Sequence, residues 1–381
     1  MFYKMSIGGA ETFVYNILSV IDTEKYQIDI CIQGKDVTNK KLYRLCRRKG
    51  CRIYVIPAFD RNYPAYMMAV EKILRLDHYD IVHIHMNALI NCVPVFIALH
   101  HADKVVVHSH NTQNNMGGRI GLMLHCFNRR ILQNKNLIRA ACGEDAGKWM
   151  FGERTYTILD NAISIPKFSY NKNNREIVRK ELGIEGKKVI GHVGRFVEAK
   201  NHEFLLDIFT EYVKQEAGYA SRQDVGLIAE GCDYSDQKDY GDTVLVMIGD
   251  GELLETIKKK AQGLAIEDRI VFAGNKMDVA KYYSAFDCLL FPSKFEGLPF
   301  VLVEAQTNGL SVVASDKVTT EMDLVGNMAF VPLDAPMEEW MDAIKKALEV
   351  VDRLSYAEKM RRTKYNIENM IVKVEKLYDG E

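Results

Sequence analysis

The stretch FEGLPFVLVEAQ, residues 295–306, closely follows the apolar run CLLF, residues 288–291. The apolar run predicts a buried strand, and Pro299 predicts the first residue of a helix. Glu296 then lies in the connecting loop and Glu304 in the second turn of the helix. In an open α/β sheet, ligands bind beyond the carboxyl ends of the strands. The two glutamates therefore mark a candidate binding site, with solvated surface acids as the alternative.

Short runs rich in Ile and Val alternate with helix-like segments, which predicts parallel sheets of the α/β class. The predicted strands are residues 28–32, 52–56, 80–85, 104–109, 138–142, 155–159, 188–193, 243–248, 269–272, 288–291, 311–314 and 329–331. The predicted helices include residues 10–21, 40–49, 63–76, 87–101 and a final helix 356–378.

A chain of 381 residues is long enough for two such domains. We predict two Rossmann-like, doubly wound halves facing a cleft, residues 1–165 and 166–355. The polar segment 166–175 is predicted to be an irregular linker. Residues 356–381 are predicted to form a helix that crosses back to the first domain.

The start of the first half departs from this pattern. Gly8 and Gly9 are predicted to form the turn between a first strand and the first helix, yet only seven residues precede them. The first strand is therefore predicted to be truncated or absent, which is expected to lower stability because such a strand is central in a doubly wound sheet.

Composition indicates a soluble globular protein, with 48% hydrophobic and 27% charged residues. A formal net charge of −1 gives no reason to expect nucleic acid as a partner. The eight cysteines are scattered, without a C-x-x-C pair, and are typical of reduced core residues. With no leader or membrane-length apolar run, we expect a cytoplasmic protein, and peripheral attachment to the inner face of the plasma membrane stays open.

Two cations follow the predicted strand 188–193. Gly194 lets a ligand approach the backbone, Arg195 can bind a diphosphate in a bidentate manner, and Lys200 can add a point charge. Backbone N–H groups of Gly297 and Leu298 at a helix start can bind hydroxyls or an anion. The alternative is a solvated basic pair at a strand end.

Gly249 and Gly251 follow another predicted strand in the sequence Gly-Asp-Gly-Glu. A dinucleotide fingerprint is a weak interpretation, because Leu254 occupies the place of its third glycine. A tight turn beside a nucleotide and a plain turn remain as interpretations. No Asp-X-Asp occurs in the chain. If a diphosphate leaves at this site, protein cations are therefore expected to stabilise it.

Four histidines alternate at the ends of two predicted strands, namely His83, His85, His108 and His110. Such a group could suggest zinc, but no acidic or cysteine ligand stands beside it at suitable spacing. We favour neutral imidazoles that hydrogen-bond a polar substrate, with structural histidines as the alternative.

Residues 119–139 contain Arg119, Arg129, Arg130, Lys135 and Arg139 and no acid, interleaved with large apolar side chains. A basic amphipathic helix of this kind can lie on an anionic membrane surface. The alternative is a solvated helix packed through its other face. The polar stretch 215–242 is predicted to be a surface loop, and no chemistry is assigned to it.

Seven pieces of sequence recur together in one known family. They are Gly-Gly-Ala-Glu (8–11), His-Ser-His-Asn (108–111), Asn-Ala-Ile (161–163), Gly-Arg-Phe…Lys-Asn (194–201), Ile-Gly-Asp-Gly (248–251), Phe-Ala-Gly-Asn (272–275) and Pro-Ser…Glu-Gly-Leu-Pro…Glu-Ala (292–305). In this set the chain resembles the retaining glycosyltransferases of family 4, which have the two-domain GT-B fold. The E-x7-E element together with the upstream Gly-Arg…Lys element is the specific part, and the resemblance spans nearly the whole chain.

The resemblance implies roles for individual residues. Arg195 and Lys200 would bind the donor diphosphate, Glu296 would contact the donor sugar, and Glu304 would hold the ribose hydroxyls. The N–H groups of Gly297, Leu298 and Phe300 would lie near the sugar or phosphate. Further implied positions are Asn275 and Lys276 at the base, Gly194, Gly249 and Gly251 around the nucleotide, Gly8 and Gly9 facing the diphosphate across the cleft, and His110 near the reaction centre.

The resemblance also implies an activity, the transfer of a sugar with retention from a nucleotide-sugar, with UDP-sugars favoured. The acceptor would be a glycan or lipid-linked sugar of capsule or exopolysaccharide synthesis, and no metal or other cofactor is expected. Other enzymes on this fold, such as a sugar-nucleotide epimerase or a glycoside-cleaving enzyme, are alternatives. The paired cations argue against glycoside cleavage, which needs no diphosphate partner. A non-catalytic sugar-nucleotide-binding protein is a further alternative because of the truncated first strand.

One element departs from the family pattern. The usual Asn-Gly-Ile-Asp is Asn-Ala-Ile-Ser at residues 161–164. We expect the change to be tolerated, and any role of the missing aspartate does not apply here.

Overall fold

The structure is a computed structural model that describes residues 9–34, 39–111, 118–133, 135–216, 242–264, 266–276, 278–296, 299–349 and 352–380. The chain divides into two compact units. The first, here called the outer unit, comprises residues 1–164 and 364–381, and the second, the inserted unit, comprises residues 165–363.

The strands are β1 (Asp29–Gln33), β2 (Arg52–Ile56), β3 (Tyr79–Met86), β4 (Ala102–Ser109), β5 (Ile138–Ala141), β6 (Thr157–Ile158), β7 (Lys188–Val193), β8 (Thr243–Ile248), β9 (Ile270–Gly274), β10 (Cys288–Phe291), β11 (Ser311–Ser315) and β12 (Met328–Val331). The helices are α1 (Gly9–Val20), α2 (Lys40–Arg48), α3 (Tyr63–Leu76), α4 (Val93–His101), α5 (Gly118–Leu132), α6 (Glu144–Phe151), α7 (Ile165–Phe168), α8 (Lys172–Leu182), α9 (His202–Glu216), α10 (Leu254–Gln262), α11 (Ala280–Ala285), α12 (Phe300–Thr307), α13 (Met337–Leu348), α14 (Leu354–Arg361) and α15 (Ile367–Asp379).

The inserted unit is built on one parallel sheet with strand order β12-β11-β10-β7-β8-β9. Every residue of β8 and β10 is buried, as expected of parallel strands covered by helices on both faces. The order reverses between β7 and β10, because the chain proceeds outward from β7 in one direction and from β10 in the other. Ligands bind at such a switch point in doubly wound sheets.

The outer unit contains two parallel sheets among its described residues, a pair β1-β2 and a four-stranded sheet β3-β4-β5-β6. Residues of α1, β1 and β3 line a cavity of about 930 Å³. Helix α15 completes the core of this unit, since Ile367, Met370 and Val374 pack in one apolar cluster with α1 and β1. The prediction of a truncated first strand falls on residues 1–8, which lie outside the described residues.

Polar caps define several helix starts. The side chains of Asn39, Asn62 and Asn171 each accept the backbone N–H three residues on, which satisfies a donor at the helix start. Gly183 ends α8 in the left-handed conformation that glycine adopts without a steric penalty.

The predicted strands are confirmed with small shifts at their ends, and so are the loop position of Glu296 and the second-turn position of Glu304. The irregular linker predicted for 166–175 is wrong, because α7 and the start of α8 occupy most of it and Asn171 caps α8. The single final helix is also wrong. It is interrupted between α14 and α15, where Asn366 caps a new helix start.

Candidate functional site

Two loops meet at the switch point of the inserted unit. The loop 194–201 follows β7, and the loop 292–296 follows β10, its direct neighbour in the sheet. Lys294 donates its backbone N–H to the carbonyl of Ala199 at 2.8 Å, and Asn201 Nδ2 donates to the carbonyl of Pro292 at 3.1 Å. Asn201 adopts a left-handed φ of 56°, which turns the chain into α9. These bonds tie the two predicted ligand-binding loops together.

The side chains of Lys200 and Glu296 form an ion pair across these loops. Lys200 Nζ lies 2.6 Å from Glu296 Oε1, and the two side chains are only 16% and 11% exposed. The ammonium also lies 4.7 Å from the centre of the Phe291 ring, where the face of an aromatic ring attracts a cation. The structure thus brings a predicted diphosphate ligand and a predicted sugar ligand into direct contact.

Arg195 differs from Lys200 in its surroundings. Its side chain is exposed and forms no ion pair with any residue that the structure describes. A guanidinium in this state is available to an incoming anion without first breaking a contact within the described protein.

Glu304 is held by a tyrosine that sequence reasoning missed. The hydroxyl of Tyr283, in α11, donates to Glu304 Oε2 at 2.7 Å. Burial and the neighbouring carboxylate raise the pKa of Tyr283 well above its usual value, so the hydroxyl stays protonated. Tyr283 therefore orients the carboxylate predicted to bind ribose. The sequence carried no signal for this contact, because the two residues lie on different helices.

Gly249 and Gly251 have a packing requirement of their own. Their φ angles are +149° and +159°. A Cβ on Gly249 would lie 1.9 Å from the carbonyl oxygen of Gly194, and one on Gly251 would lie 2.5 Å from that of Phe196. The turn after β8 is thus packed backbone to backbone against the loop after β7. These glycines allow that approach whether or not a nucleotide also borders the turn.

Two buried histidines lie beneath the 194–201 loop and were also missed. His202 stacks on Phe196 with ring centres 4.1 Å apart, and His192 meets His202 edge-on at 4.8 Å. His192 Nδ1 donates to the carbonyl of Leu290 at 2.9 Å. Burial lowers the pKa of His192 well below its usual value and that of His202 to about 4. Both rings are neutral at physiological pH and leave the local positive charge to Arg195 and Lys200.

The remaining predicted positions of the inserted unit differ in their contacts with other side chains. Asn275 is exposed, whereas Lys276 Nζ lies 3.2 Å from Glu181 Oε1 and 4.9 Å from the centre of the Tyr282 ring. A nucleotide base bound at Lys276 would compete with Glu181 for the ammonium group. Gly8, Gly297 and Leu298 lie outside the described residues, as does most of the 215–242 loop, and Gly9 begins α1.

In the outer unit the four histidines form one cluster, here called the histidine cluster. His85 pairs with His108 in the register of β3 and β4, so the four side chains share one face of the sheet. Phe13 of α1 packs against all four rings, with ring centres 4.6 to 6.5 Å away. The Tyr378 hydroxyl of α15 lies 2.7 Å from His83 Nδ1. The cluster is therefore built into the core of the outer unit.

Hydrogen bonds run between the rings of the histidine cluster. His83 Nε2 lies 3.2 Å from His108 Nδ1, and His85 Nδ1 lies 2.8 Å from His110 Nε2. Burial lowers the pKa of all four, that of His110 to about 3. Among the described residues, His110 Nδ1 has no hydrogen-bond partner. The imidazoles are neutral, as the sequence interpretation expected, and His110 keeps one nitrogen for a further contact.

A metal ion is the other use of such a cluster. One nitrogen from each of His83, His85 and His108 lies within 4.8 Å of the others, a spacing that three metal ligands can have. The hydrogen bonds between rings and the covering Phe13 account for the same arrangement without an ion. Both interpretations of neutral imidazoles therefore remain, those that hydrogen-bond a polar substrate and those that serve the structure.

Helix α5 turns most of its large apolar side chains outward. Ile120, Met123 and Phe127 are 73%, 72% and 63% exposed, and Leu124 and Ile131 extend the same stripe at helical spacing. The inward face holds Gly121, His125 and Leu132. His125 accepts the N–H of Leu89 at 3.0 Å, and Asn128 Nδ2 donates to the Leu89 carbonyl at 2.6 Å. Helix α5 therefore packs through a face other than its basic and apolar stripe, so the alternative of a solvated helix packed through its other face is not excluded.

The cations of the α5 region differ in their exposure and contacts. Arg119 and Arg130 are exposed beside the apolar stripe. Arg139 donates to the carbonyls of Leu132 and Gln133 at 3.2 and 3.0 Å, which makes it an anchor for the end of the helix. Two arginines and five apolar residues of α5 form one exposed surface, here called the α5 face: Arg119, Ile120, Met123, Leu124, Phe127, Arg130 and Ile131. Among the described residues, no helix is long and apolar enough to cross a membrane.

Comparison with known families identifies the class of protein. The family model of glycosyl transferases group 1 matches residues 174–370, and that of glycosyltransferase family 4 matches residues 7–136. The first match covers more than half of the chain. The chain belongs to the group 1 glycosyltransferases, and the predicted family is confirmed.

Individual relatives agree with this assignment. The chain is 30% identical over 357 residues to a Bacillus subtilis protein named as the glycosyltransferase EpsF, covering 90% of this chain and 85% of that protein. It is 24% identical over 280 residues to an Escherichia coli UDP-Gal:alpha-D-GlcNAc-diphosphoundecaprenol alpha-1,3-galactosyltransferase, covering 70% and 66%. It is 22% identical to CapH, a capsular polysaccharide biosynthesis glycosyltransferase of Staphylococcus aureus, covering 93% and 92%.

Solved structures share the fold. Anabaena HepE in complex with UDP superposes with a TM-score of 0.72 at 16% identity, covering 100% of this chain and 98% of that one. Together with the parallel α/β units described above, this likeness confirms the GT-B fold class predicted from the sequence.

Proposed function

We propose that this glycosyltransferase moves a sugar, with retention and without a metal, from a UDP-sugar to a glycan or lipid-linked acceptor of polysaccharide synthesis. The observation that carries the proposal is the contact of Lys200 with Glu296 at the switch point of the inserted unit, with Arg195 exposed in the same loop as Lys200. Relatives named for a UDP-galactose donor, a lipid diphosphate acceptor and capsular polysaccharide support the choice of substrates.

In this proposal each charged group has one task. Arg195 and Lys200 bind the diphosphate and stabilise the negative charge that grows on it as the sugar leaves. Glu296 accepts hydrogen bonds from the sugar hydroxyls, and Glu304, oriented by Tyr283, accepts those of the ribose. His110, whose Nδ1 has no hydrogen-bond partner among the described residues, is proposed to offer a hydrogen bond to the substrate.

Retention needs no protein nucleophile if the acceptor attacks from the side that the diphosphate leaves. The departing phosphate oxygen then takes the acceptor proton. The protein contributes orientation and positive charge, which are the two largest catalytic effects available to such a site. Neither Glu296 nor Glu304 serves as the proton-transfer group.

The test is a release assay with the purified protein and a panel of UDP-, GDP- and ADP-sugars, with and without bacterial lipid acceptors. We expect acceptor-dependent release of UDP, unchanged by EDTA, and a product with the anomeric configuration of the donor by NMR. Release that requires added divalent metal would contradict the metal-free mechanism. Absence of transfer from every donor would contradict the proposed substrates.

We further propose that the α5 face binds the anionic surface of the cytoplasmic membrane leaflet, where a lipid-linked acceptor would be presented. Its apolar stripe is exposed, and the region from Lys104 to Gly143 contains no acidic residue. Apolar side chains flanked by arginines suit the headgroup boundary of anionic lipids.

Vesicle sedimentation tests this surface. The double change Met123→Ser and Phe127→Ser should lower binding to vesicles with one-third anionic lipid about tenfold, and Arg119→Glu with Arg130→Glu should do the same. Met68→Ser is the matched control, because Met68 is 67% exposed but lies on α3. Equal binding of all variants, or equal binding to neutral vesicles, would contradict the proposal.

A further inference from the structure

The ion pair between Lys200 and Glu296 joins two groups to which the proposed function gives different ligands. Lys200 is assigned to the diphosphate and Glu296 to the donor sugar, yet Lys200 Nζ and Glu296 Oε1 lie 2.6 Å apart. The inference below rests on the proposed function and concerns what happens to this pair, here called the 200–296 pair, when a nucleotide binds.

Loop contacts hold the 200–296 pair in place. The backbone bond from Lys294 to Ala199 and the bond from Asn201 to Pro292 fix the two loops on either side of it. Phe291 lies under the ammonium. Because the side chains are 16% and 11% exposed, water can replace a lost partner only in part. A ligand that takes one member must therefore offer something to the other.

The two ligands of a transfer cycle differ in this respect. A nucleotide-sugar brings phosphate oxygens for Lys200 and hydroxyl donors for Glu296, so both members exchange one partner for another. A nucleoside diphosphate brings phosphate oxygens alone. It leaves the Glu296 carboxylate without its cation and close to a second negative charge, which is unfavourable in a partly buried site.

We propose that the 200–296 pair makes the protein discriminate against the free nucleoside diphosphate in favour of the nucleotide-sugar. The pair reforms when the diphosphate departs and so favours release of this product. Arg195, which has no ion-pair partner among the described residues, attracts both ligands equally and contributes nothing to the choice.

The experiment is equilibrium titration of the intact protein with UDP and with UDP-glucose, and with GDP and ADP in parallel. Glu296→Gln keeps the shape of the side chain and removes its charge. We expect it to bind UDP about fivefold more tightly than the unmodified protein and to bind UDP-glucose no more tightly. Tighter binding of a product after loss of a site residue is the opposite of what simple loss of a contact gives.

Glu198→Gln is the matched control. Glu198 lies in the 194–201 loop and pairs with Lys294 of the facing loop, and its side chain is 77% exposed. The substitution changes the net charge by the same amount without touching the 200–296 pair. If Glu198→Gln raises the affinity for UDP, the cause is the changed long-range electrostatic interaction with the diphosphate. That gain should vanish at high salt.

A second variant isolates the pair itself. Lys200→Met should weaken UDP binding, and Glu296→Gln added to it should gain less affinity than it gains alone, because only the repulsion between Glu296 and the diphosphate is left to relieve. The proposal is overturned if Glu296→Gln binds UDP no better than Glu198→Gln does, or if the full gain persists without Lys200. If the unmodified protein binds none of the nucleotides, the proposed donor and this inference fall together. Intact nucleotide binding without the gain overturns the inference alone.

Discussion

The histidine cluster of the outer unit and the charged loops of the inserted unit lie at the same place in their sheets, the carboxyl ends of parallel strands. They are built in opposite ways. The histidine rings stand on β3, on β4 and just after it, are fixed by strand register, and are neutral because burial lowers their pKa. Arg195, Lys200 and Glu296 stand in loops and keep their positions through the contacts between those loops.

The difference separates stability from ligand binding. The histidine cluster packs against Phe13 and Tyr378 and is part of the core that holds the outer unit together. The charges of the inserted unit lie above a core that is complete without them, since β8 and β10 are entirely buried and apolar apart from Thr243. Changes in the loops should therefore cost activity, and changes around the histidine cluster should cost stability.

The largest effect is expected at Glu296. Glu296→Ala should lower kcat/KM for transfer about 100- to 1,000-fold, the range seen when one charged or hydrogen-bonding group leaves a preorganised site. The thermal midpoint should fall only modestly, because no core contact is lost and only Lys200 loses its partner. Steady-state kinetics and differential scanning fluorimetry measure the two effects. Glu198→Ala, in the adjoining exposed pair, should retain activity, and full activity of Glu296→Ala would contradict the site assignment.

Gly249 tests whether the backbone of this part of the inserted unit, unlike its charged side chains, affects stability. Gly249→Ala places a Cβ against the Gly194 carbonyl at a φ of +149° and should destabilise the inserted unit by about 3 kcal/mol. Gly263→Ala is the control, because its Cβ would make only ordinary contact at 3.5 Å, and it should stay within about 0.5 kcal/mol. Urea unfolding followed by Trp340 fluorescence in a Trp149→Phe background measures both. Equal stability of the two variants would show that the turn relaxes.

The smallest effect is a difference in acid sensitivity between the units. A buried histidine with a lowered pKa gives stability that is complete above pH 6.5 and is lost as the pH falls toward its folded value, about 3 for His110. Four such residues lie in the histidine cluster, and two lie in the inserted unit. Between pH 7 and pH 5 the outer unit should therefore lose more stability.

The chain offers a separate probe for each unit, since its two tryptophans are Trp149 and Trp340. Trp340→Phe leaves Trp149 to report the outer unit, and Trp149→Phe leaves Trp340 to report the inserted unit. Urea midpoints at pH 7 and pH 5 give the comparison. Equal shifts in the two variants would mean that the histidine cluster accepts protons without opening.

The sequence predicted the fold well because parallel strands buried on both faces are short, apolar and bounded by turns, as in residues 243–248 and 288–291. It failed at 166–175, where polar residues form a capped helix whose polarity suggested a loop. Local pattern also placed Glu296 and Lys200 at strand ends. It could not pair them, because 96 positions separate them and only the strand order brings them together.

The same limit applies to the supporting residues. Nothing local in the sequence connects Tyr283 to Glu304, or Tyr378 and Phe13 to His83. The pattern of α5 predicted an amphipathic helix. It did not predict that most of the large apolar side chains face outward, because the hydrogen bonds of His125 and Asn128 that hold the inward face have no local signal in the sequence.

The division of the chain has a consequence for its synthesis. The inserted unit is continuous, from Ile165 to Thr363, so all its strands have been made before α15 exists. The outer unit contains the first residues of the chain but lacks Ile367, Met370, Val374 and Leu377 of its core until α15 emerges. On the ribosome the half that is made first is thus completed last. During that interval the surface of α1 and β1 that α15 will cover is open to chaperones or to another copy of the chain.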